Sequence, residues 1–464
     1  MIRLVHHHLR RGGVTRVMVK TAEILRDAGK EVAILTGEAP PDPLPEGIGF
    51  QLVPGMGYHD PDNPTDADAL TRSLAALYEE GDLWHIHNHS LGKNPAVSDA
   101  WIGLAEQGQR VVFQPHDFAE DGRPHNLDLL RRTLPGFPDR LYPVGSHLQY
   151  AVLQERDRRV LAGAGIPDQH IHLLPNPVSQ ESFDAPDIPP KRILYLTRGI
   201  RRKNIGEFLY WAQQLGGDLE FATSLLPQNP LERTLFETWR AFAEQQNIPV
   251  TWGIGAEGRS FREVVEWGDA CITTSVGEGF GMSFLEPPAM GRSVVGRDLP
   301  DITAGFKQDG VDLVHLYSQL PIPADAVDAG FWTRAEFVVH SWQNSMGSDQ
   351  PLSQAELQNA WVTDGYIDFG RLDEPAQQHV LSSGATSEKR LSFPEKGQIQ
   401  ANAQQIETAY ACDQYLKRLQ TLYASLNPSG SLHYASGNQV RDAFLHLSAV
   451  FLLKTFPRHP TRNV

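Results

Sequence analysis

Cysteine is scarce in this chain of 464 residues, where Cys271 and Cys412 are the only two. They lie far apart and match no metal or redox spacing, which argues against a disulfide framework and a zinc ribbon. Cys271 sits in an apolar run and reads as a buried thiol, and so few cysteines fit a reducing compartment. Long hydrophobic runs are missing as well. The most apolar late segment, 444–453, is interrupted by His446 and is far short of the roughly 20 residues a membrane span needs. Met1-Ile2-Arg3-Leu4-Val5 enters a strand-like stretch directly, without the charged and then apolar regions of a targeting segment. Positive charge is in deficit: 41 Lys and Arg against 56 Asp and Glu leave a net charge of −15. That balance argues against a nucleic-acid binder and against attachment to an anionic membrane. A cytoplasmic protein with no nucleic-acid partner and no stable membrane insertion is therefore expected.

What is present is a globular composition, 41% hydrophobic and 21% charged, in a chain long enough for two domains. Apolar runs alternate with helical periodicities: strand signals at 2–9, 31–36, 51–53, 83–87, 111–114 and 140–144, with helical patterns from Val14, over 67–78 and over 97–107. His6-His7-His8 continues the first of these strands and reads as native. The proline-rich stretch 184–191 reads as a linker. The rhythm then restarts, with strands at 192–196, 219–222, 250–253, 269–276 and 294–296 around helices at 205–214 and 231–245. Two doubly wound Rossmann-like domains facing a cleft are predicted, an N-terminal one over 1–183 and a C-terminal one over 191–430. About 90 residues, 306–398, separate the last of these strands from an amphipathic helix at 399–423. A connection that long carries structure of its own. Its aromatics Phe331, Trp332, Phe337 and Trp342 predict a small extra core capping the second domain.

The stretch Gly277-Glu278-Gly279-Phe280-Gly281-Met282-Ser283-Phe284-Leu285-Glu286 carries the most chemistry. A β-rich run ends, glycines permit close approach to the backbone, and a helix start offers N–H donors to an anion such as a diphosphate. Glu278 and Glu286 are natural acceptors for sugar or ribose hydroxyls. Pro287 and Pro288 are tolerated if the helix begins near 283–284, which places them in its first turn. The second constellation, Arg198, Arg201, Arg202 and Lys203, follows the first strand of the second half and makes a positive field suited to phosphate. Arg201 and Arg202 taken singly read as solvated.

Arg198 and Lys203 together with the Glu-x7-Glu pair resemble the retaining glycosyltransferases of the GT-B fold, the large group that includes sucrose-phosphate synthases, bacterial mannosyltransferases and trehalose synthases. The resemblance covers most of residues 1–305 and the helix near 399–424. It implies a hexosyl transfer from a nucleotide-diphosphate sugar, a co-substrate rather than a cofactor, to a hydroxyl-bearing small molecule or glycan. Glu278 would contact donor-sugar hydroxyls, Glu286 the ribose, and Arg198 and Lys203 the diphosphate. Gly279, Phe280 and Gly281 fall in the donor loop. Gly12 and Gly13 match the N-terminal loop that faces donor phosphate and acceptor, and His116 matches a histidine at the end of an N-domain strand. No cofactor and no metal are implied, and a helix at about 440–455 crosses back to the first domain.

Asp60, Asp62, Asp66 and Asp68 follow no strand, and read as turn and helix-start residues. His85, His87 and His89 alternate, so on a strand all three face one side. A metal is one reading of that trio, cleft lining or core packing the other. The polar loop from Glu120 to Asn126 is the acceptor-side candidate. The same nucleotide cleft also serves a GT-B sugar-nucleotide epimerase or hydrolase, or a protein that binds a nucleotide sugar without turnover.

Overall fold

The computed structural model describes residues 1–179, 186, 189–227, 230–256, 258–348, 352–447 and 451–454. The chain divides into two compact units, one of residues 1–177 and 410–448, the other of 178–409 and 449–464. Of the linker expected at 184–191, residues 184, 185, 187 and 188 lie outside the described residues.

The first unit opens with β1 (Ile2–Val5), α1 (Gly13–Asp27), β2 (Val32–Thr36), β3 (Gly49–Leu52), α2 (Ala67–Ala75), β4 (Leu83–His87), α3 (Pro95–Glu106), β5 (Val111–Gln114) and α4 (Pro124–Thr133). It continues through β6 (Pro143–Val144), β7 (Leu148–Val152), α5 (Glu155–Gly163) and β8 (Ile171–Leu173). Seven strands form one parallel sheet in the order β3-β2-β1-β4-β5-β7-β8. Strands β1, β4, β5 and β7 are buried along their whole length, as a sheet covered on both faces requires. Edge strand β3 is exposed throughout. On α1, Val17, Met18, Thr21, Ala22, Ile24 and Leu25 turn inward at helical spacing. The strand predicted at 140–144 shrinks to β6, because Pro143 offers no N–H to a central ladder. The sheet takes β7 and β8 instead. β7 went unread because buried Gln149 interrupts its apolar run.

The second unit holds β9 (Arg192–Tyr195), α6 (Ile205–Leu215), β10 (Glu220–Thr223), α7 (Pro230–Gln245), α8 (Phe261–Trp267), β11 (Ala270–Thr273), α9 (Met282–Ala289), β12 (Ser293–Gly296) and α10 (Pro300–Gln308). Its parallel sheet runs β10-β9-β11-β12. The strand expected at 250–253 is a single bridge from Thr251 to Ala222, cut short at Gly253 (φ +66°). The long insertion contributes β13 (Pro321–Pro323), α11 (Phe331–Met346), α12 (Gln354–Trp361), β14 (Val362–Thr363), β15 (Tyr366–Asp368) and α13 (Glu374–Ser383). Its strands form an antiparallel sheet in the order β13-β15-β14.

That insertion does not build a separate core. Phe331, Val339, Leu357, Trp361, Ile367 and Phe369 pack in one cluster with Ile193, Tyr195 and Phe208 of the Rossmann-like layer. Phe337, expected inside, is 60% exposed because it falls on the outer face of α11.

The helix expected at 399–423 is two helices, α14 (Lys396–Tyr410) and α15 (Cys412–Ala424), parted where Ala411 is extended (φ −64°, ψ 159°). The chain rejoins the first unit at Tyr410, so α15 belongs there and not to the second domain. The Tyr415 hydroxyl lies 2.9 Å from that of Thr21 on α1. β16 (His433–Tyr434) pairs with β6, and α16 (Gly437–Leu447) follows. The helix expected over 440–455 thus starts earlier, and residues 448–450 and 455–464 lie outside the described residues.

Candidate functional site

The loops after the neighbouring strands β9 and β11 leave the same carboxyl edge of the second sheet, where open α/β sheets bind ligands. They are bonded into one structure. The Val276 N–H donates to the Arg202 carbonyl (3.0 Å), and the Thr274 hydroxyl reaches the carbonyls of Lys203 (3.0 Å) and Asn204 (3.1 Å). Tyr195, at the end of β9, donates to the Lys203 carbonyl at 2.7 Å. Gly199 (φ +64°) needs to be glycine, since a Cβ there would sit 2.4 Å from the Phe236 ring.

Glu278 is the focus. The Lys203 ammonium pairs with its Oε1, and the hydroxyls of Ser275 (2.7 Å) and Ser283 (3.4 Å) donate to the same oxygen. Burial alone would raise this carboxyl. The charges of Lys203 and Arg202 and the bonds from Lys203 and Ser275 outweigh it and hold Glu278 below the usual carboxylate range. It is therefore an ionised acceptor, with Oε2 bonded to no described residue. Gly281 (φ +96°) caps α9, and a Cβ on it would lie 2.6 Å from Ile302. α9 begins at Met282, earlier than expected, so Pro287 and Pro288 stand in its second turn. The helix has only eight residues, and its carbonyls are recovered by the N–H groups of Met290 and Arg292 beyond the prolines.

Other residues named from the sequence fall as follows. Arg198, on the loop after β9, is exposed, and Glu286, within α9, is half-buried. Gly279 is half-buried beside Glu278. The Phe280 ring turns inward against Phe306 (5.3 Å), leaving its backbone as the part able to meet a ligand. Gly12, at the N-terminus of α1, is extended, and a Cβ on Gly13 would meet nothing within 4 Å. The fold therefore places no demand for glycine at residue 13.

Two arginines read as solvated are not. Arg202 has a buried Nε without a partner, and its charge reaches Glu278. Arg201 forks Glu374 at the start of α13 (2.9 Å from Nη2) and takes Glu232 on its backbone N–H (2.7 Å). The insertion thus holds the loop after β9 directly. It does so a second time through Arg297, fully buried, which donates to Glu207 of α6 (2.6 and 3.0 Å) and to Asp368 of β15 (2.7 and 2.9 Å). Tyr317 (2.8 Å) and Asn204 (2.7 Å) complete Glu207, and Gln377 of α13 reaches Asn204 (2.8 Å). Two carboxylates compensate the desolvation of this buried cation.

In the first unit, His116 follows β5 and its Nε2 lies 2.8 Å from His87 Nδ1. Burial lowers His116 to about 3 and His85 to about 4, so both rings are neutral at pH 7. His85 and His87 stack at 4.8 Å, but His89 leaves that face because Asn88 turns left-handed (φ +62°). It packs instead against Phe113 (4.3 Å). Among the described residues, no group of three His, Cys, Asp or Glu is placed to hold a metal. In the acceptor-side loop, Glu120 is buried against the Tyr142 hydroxyl (2.9 Å), and Asn126 bonds the Leu91 carbonyl (2.8 Å). In the same loop Arg123 pairs with Asp117, and Asp121 pairs with Arg156 (3.3 Å). Asp66 caps α2 through the Ala69 N–H (2.9 Å), as read.

Residues 11–182 match Glycosyltransferase Family 4. The chain has the glycosyltransferase GT-B fold. A mannosylglucosyl-3-phosphoglycerate synthase from Petrotoga mobilis is 29% identical over 66% of this chain, and the match spans 66% of that relative's length. A glycosyltransferase from Rickettsia africae superposes with a TM-score of 0.53 at 12% identity, covering 92% of this chain and 98% of that one. HepE from Anabaena, solved with UDP-glucose, gives 0.52 at 13%, covering 91% and 99%. No helix among the described residues is long and apolar enough to cross a membrane.

Proposed function

We propose that this protein transfers a hexosyl group from a nucleotide-diphosphate sugar to a hydroxyl acceptor, with retention at the anomeric carbon and without a metal. The observation that carries the reading is the convergence of Lys203, Arg202 and two serines on an ionised Glu278 beside a glycine-capped helix start. Breaking the donor bond builds negative charge on the leaving diphosphate and positive charge on the sugar. Fixed cations and N–H dipoles placed where the negative charge grows stabilise that transition state. Arg198, Arg202, Lys203 and the Gly279–Gly281 backbone supply them, with the α1 N-terminus at Gly12–Gly13 as a second anion-binding end. Glu278 and Glu286 hold sugar and ribose hydroxyls, and His116, neutral, hydrogen-bonds a hydroxyl. HepE was solved with UDP-glucose, which makes a UDP-sugar the first donor to test. The Petrotoga relative is named for a glycosylated 3-phosphoglycerate, which favours a soluble acceptor of that kind. A nucleotide-sugar donor also fits a cytoplasmic location.

The test is incubation with a panel of nucleotide sugars, with and without glucosyl-3-phosphoglycerate. Nucleotide release that depends on acceptor, with an unchanged anomeric configuration in the product, supports the reading. An altered donor sugar would mean an epimerase, and saturable binding without turnover a sensor.

A further inference from the structure

Loops after five parallel strands of the first unit gather three cations around one tyrosine. β1 leads to Arg10, β2 to Glu38, β3 to Tyr58, β4 to Lys93, and β5 to Asp117 and Arg123, so all stand at one carboxyl edge. The Arg10 guanidinium carbon and the Lys93 ammonium each lie 5.5 Å from the centre of the Tyr58 ring, and His8 meets that ring edge-on at 4.7 Å. Arg10 forks Glu38 (2.6 and 2.8 Å), and Arg123 pairs with Asp117 while its own Nε is buried without a partner.

The loops are held together for this. A Cβ on Gly37 would sit 2.1 Å from the Gly57 nitrogen, so only glycine lets the loops after β2 and β3 close. The His59 N–H donates to the Lys93 carbonyl (2.9 Å), and Asn94 donates to the Gly57 carbonyl (2.9 Å). Asp121 also acts on Arg123, so three carboxylates face the three cations, and what sets the cluster apart is the aromatic face shared by Arg10 and Lys93 and the buried Nε of Arg123. Arginine forks and ammonium groups beside an aromatic face form a recognition surface for phosphate or carboxylate. A neutral sugar needs none of these cations.

We propose that the cluster of Arg10, Tyr58, Lys93 and Arg123 holds the anionic end, phosphate or carboxylate, of the acceptor. This gives the acceptor's charged end a binding place for the transfer proposed above and rests on that reading. The anion takes the Arg10 fork in place of Glu38 and bridges to Lys93, while Arg123, fixed by Asp117, turns its unpartnered Nε to it.

The experiment is calorimetric titration of 3-phosphoglycerate, glycerate, inorganic phosphate and glycerol into the full chain and its Lys93→Gln and Arg10→Gln variants, with UDP titrated in parallel. The expected result is 3-phosphoglycerate binding that each variant weakens at least about tenfold, UDP affinity unchanged, and no glycerol binding. Binding of phosphate alone assigns the cluster to the phosphate, and binding of glycerate alone assigns it to the carboxylate. Equal 3-phosphoglycerate affinity in wild type and both variants, or glycerol bound as tightly, overturns the proposal. Both substitutions are at side chains outside the core, and an unchanged melting curve confirms folding. Failure of wild type to bind UDP speaks against the transferase reading and leaves the anion result to be judged separately.

Discussion

Replacing Arg297 with methionine removes the cation that bonds both Glu207 and Asp368 and leaves the two buried carboxylates without it. Arg297 and Glu207 are both 0% exposed, and Asp368 is 6% exposed. Arg297 makes two-pronged bonds to each carboxylate and a further one to the Ser318 carbonyl (3.1 Å). Removing one partner of a buried ion pair costs about 3–5 kcal/mol, since the remaining charge is desolvated without compensation. Domain stabilities are of order 5–15 kcal/mol, so the second unit should lose a large share of its stability. Urea unfolding followed by tryptophan fluorescence reads this locally, because the Trp211 indole donates to Tyr317 (2.6 Å), which donates to Glu207. A triple variant, Arg297→Met with Glu207→Leu and Asp368→Leu, should recover much of the loss, because no buried charge is left unpaired. A single-variant loss below about 1 kcal/mol, or a triple variant no better than the single one, would refute the reasoning.

Two further expectations concern glycines and histidines. Gly281→Ala, forced to φ +96° and against Ile302, should destabilise by roughly 1–3 kcal/mol. Gly13→Ala should leave the melting temperature unchanged or slightly higher while raising the donor KM, and an unchanged KM would remove Gly13 from the donor site. His6, His85, His89 and His116 have pKa values lowered by burial to about 4, 4, 3 and 3. The unfolded chain therefore binds more protons below pH 6.5, and the first unit should lose stability as pH falls from about 6.5 to 4. Each histidine contributes a slope of up to about 1.4 kcal/mol per pH unit. Acid titration of stability checks this, and a flat profile over that range would contradict it.

The parallel sheets and the glycine-rich and basic loops after β11 and β9 were legible because their signals are local. A glycine turn after a strand, four cations after another, and apolar runs of strand length each lie within about ten residues of sequence. What stayed hidden is assembled from distant pieces. Glu207, Arg297 and Asp368 are separated by 90 and 71 positions, and nothing in their neighbours marks them as one cluster. Arg201 looked solvated because its partner Glu374 belongs to the insertion. The break at Ala411 carries no proline or glycine, so the 399–423 periodicity ran through it. His89 seemed to extend the alternation of His85 and His87 until the left-handed Asn88 turned it into the core. Arg202 stood in the sequence among three other cations, and only its buried, unpartnered Nε sets it apart.

The most direct test of the donor site is calorimetric titration of UDP-glucose and GDP-mannose into wild type and Lys203→Ala at fixed ionic strength. The expected result is saturable binding of one donor by wild type, weakened at least about tenfold, or 1.4 kcal/mol, in the variant. A wild type that binds one of these donors with an affinity the variant fully retains would contradict the assignment of Lys203 and Glu278 to the donor.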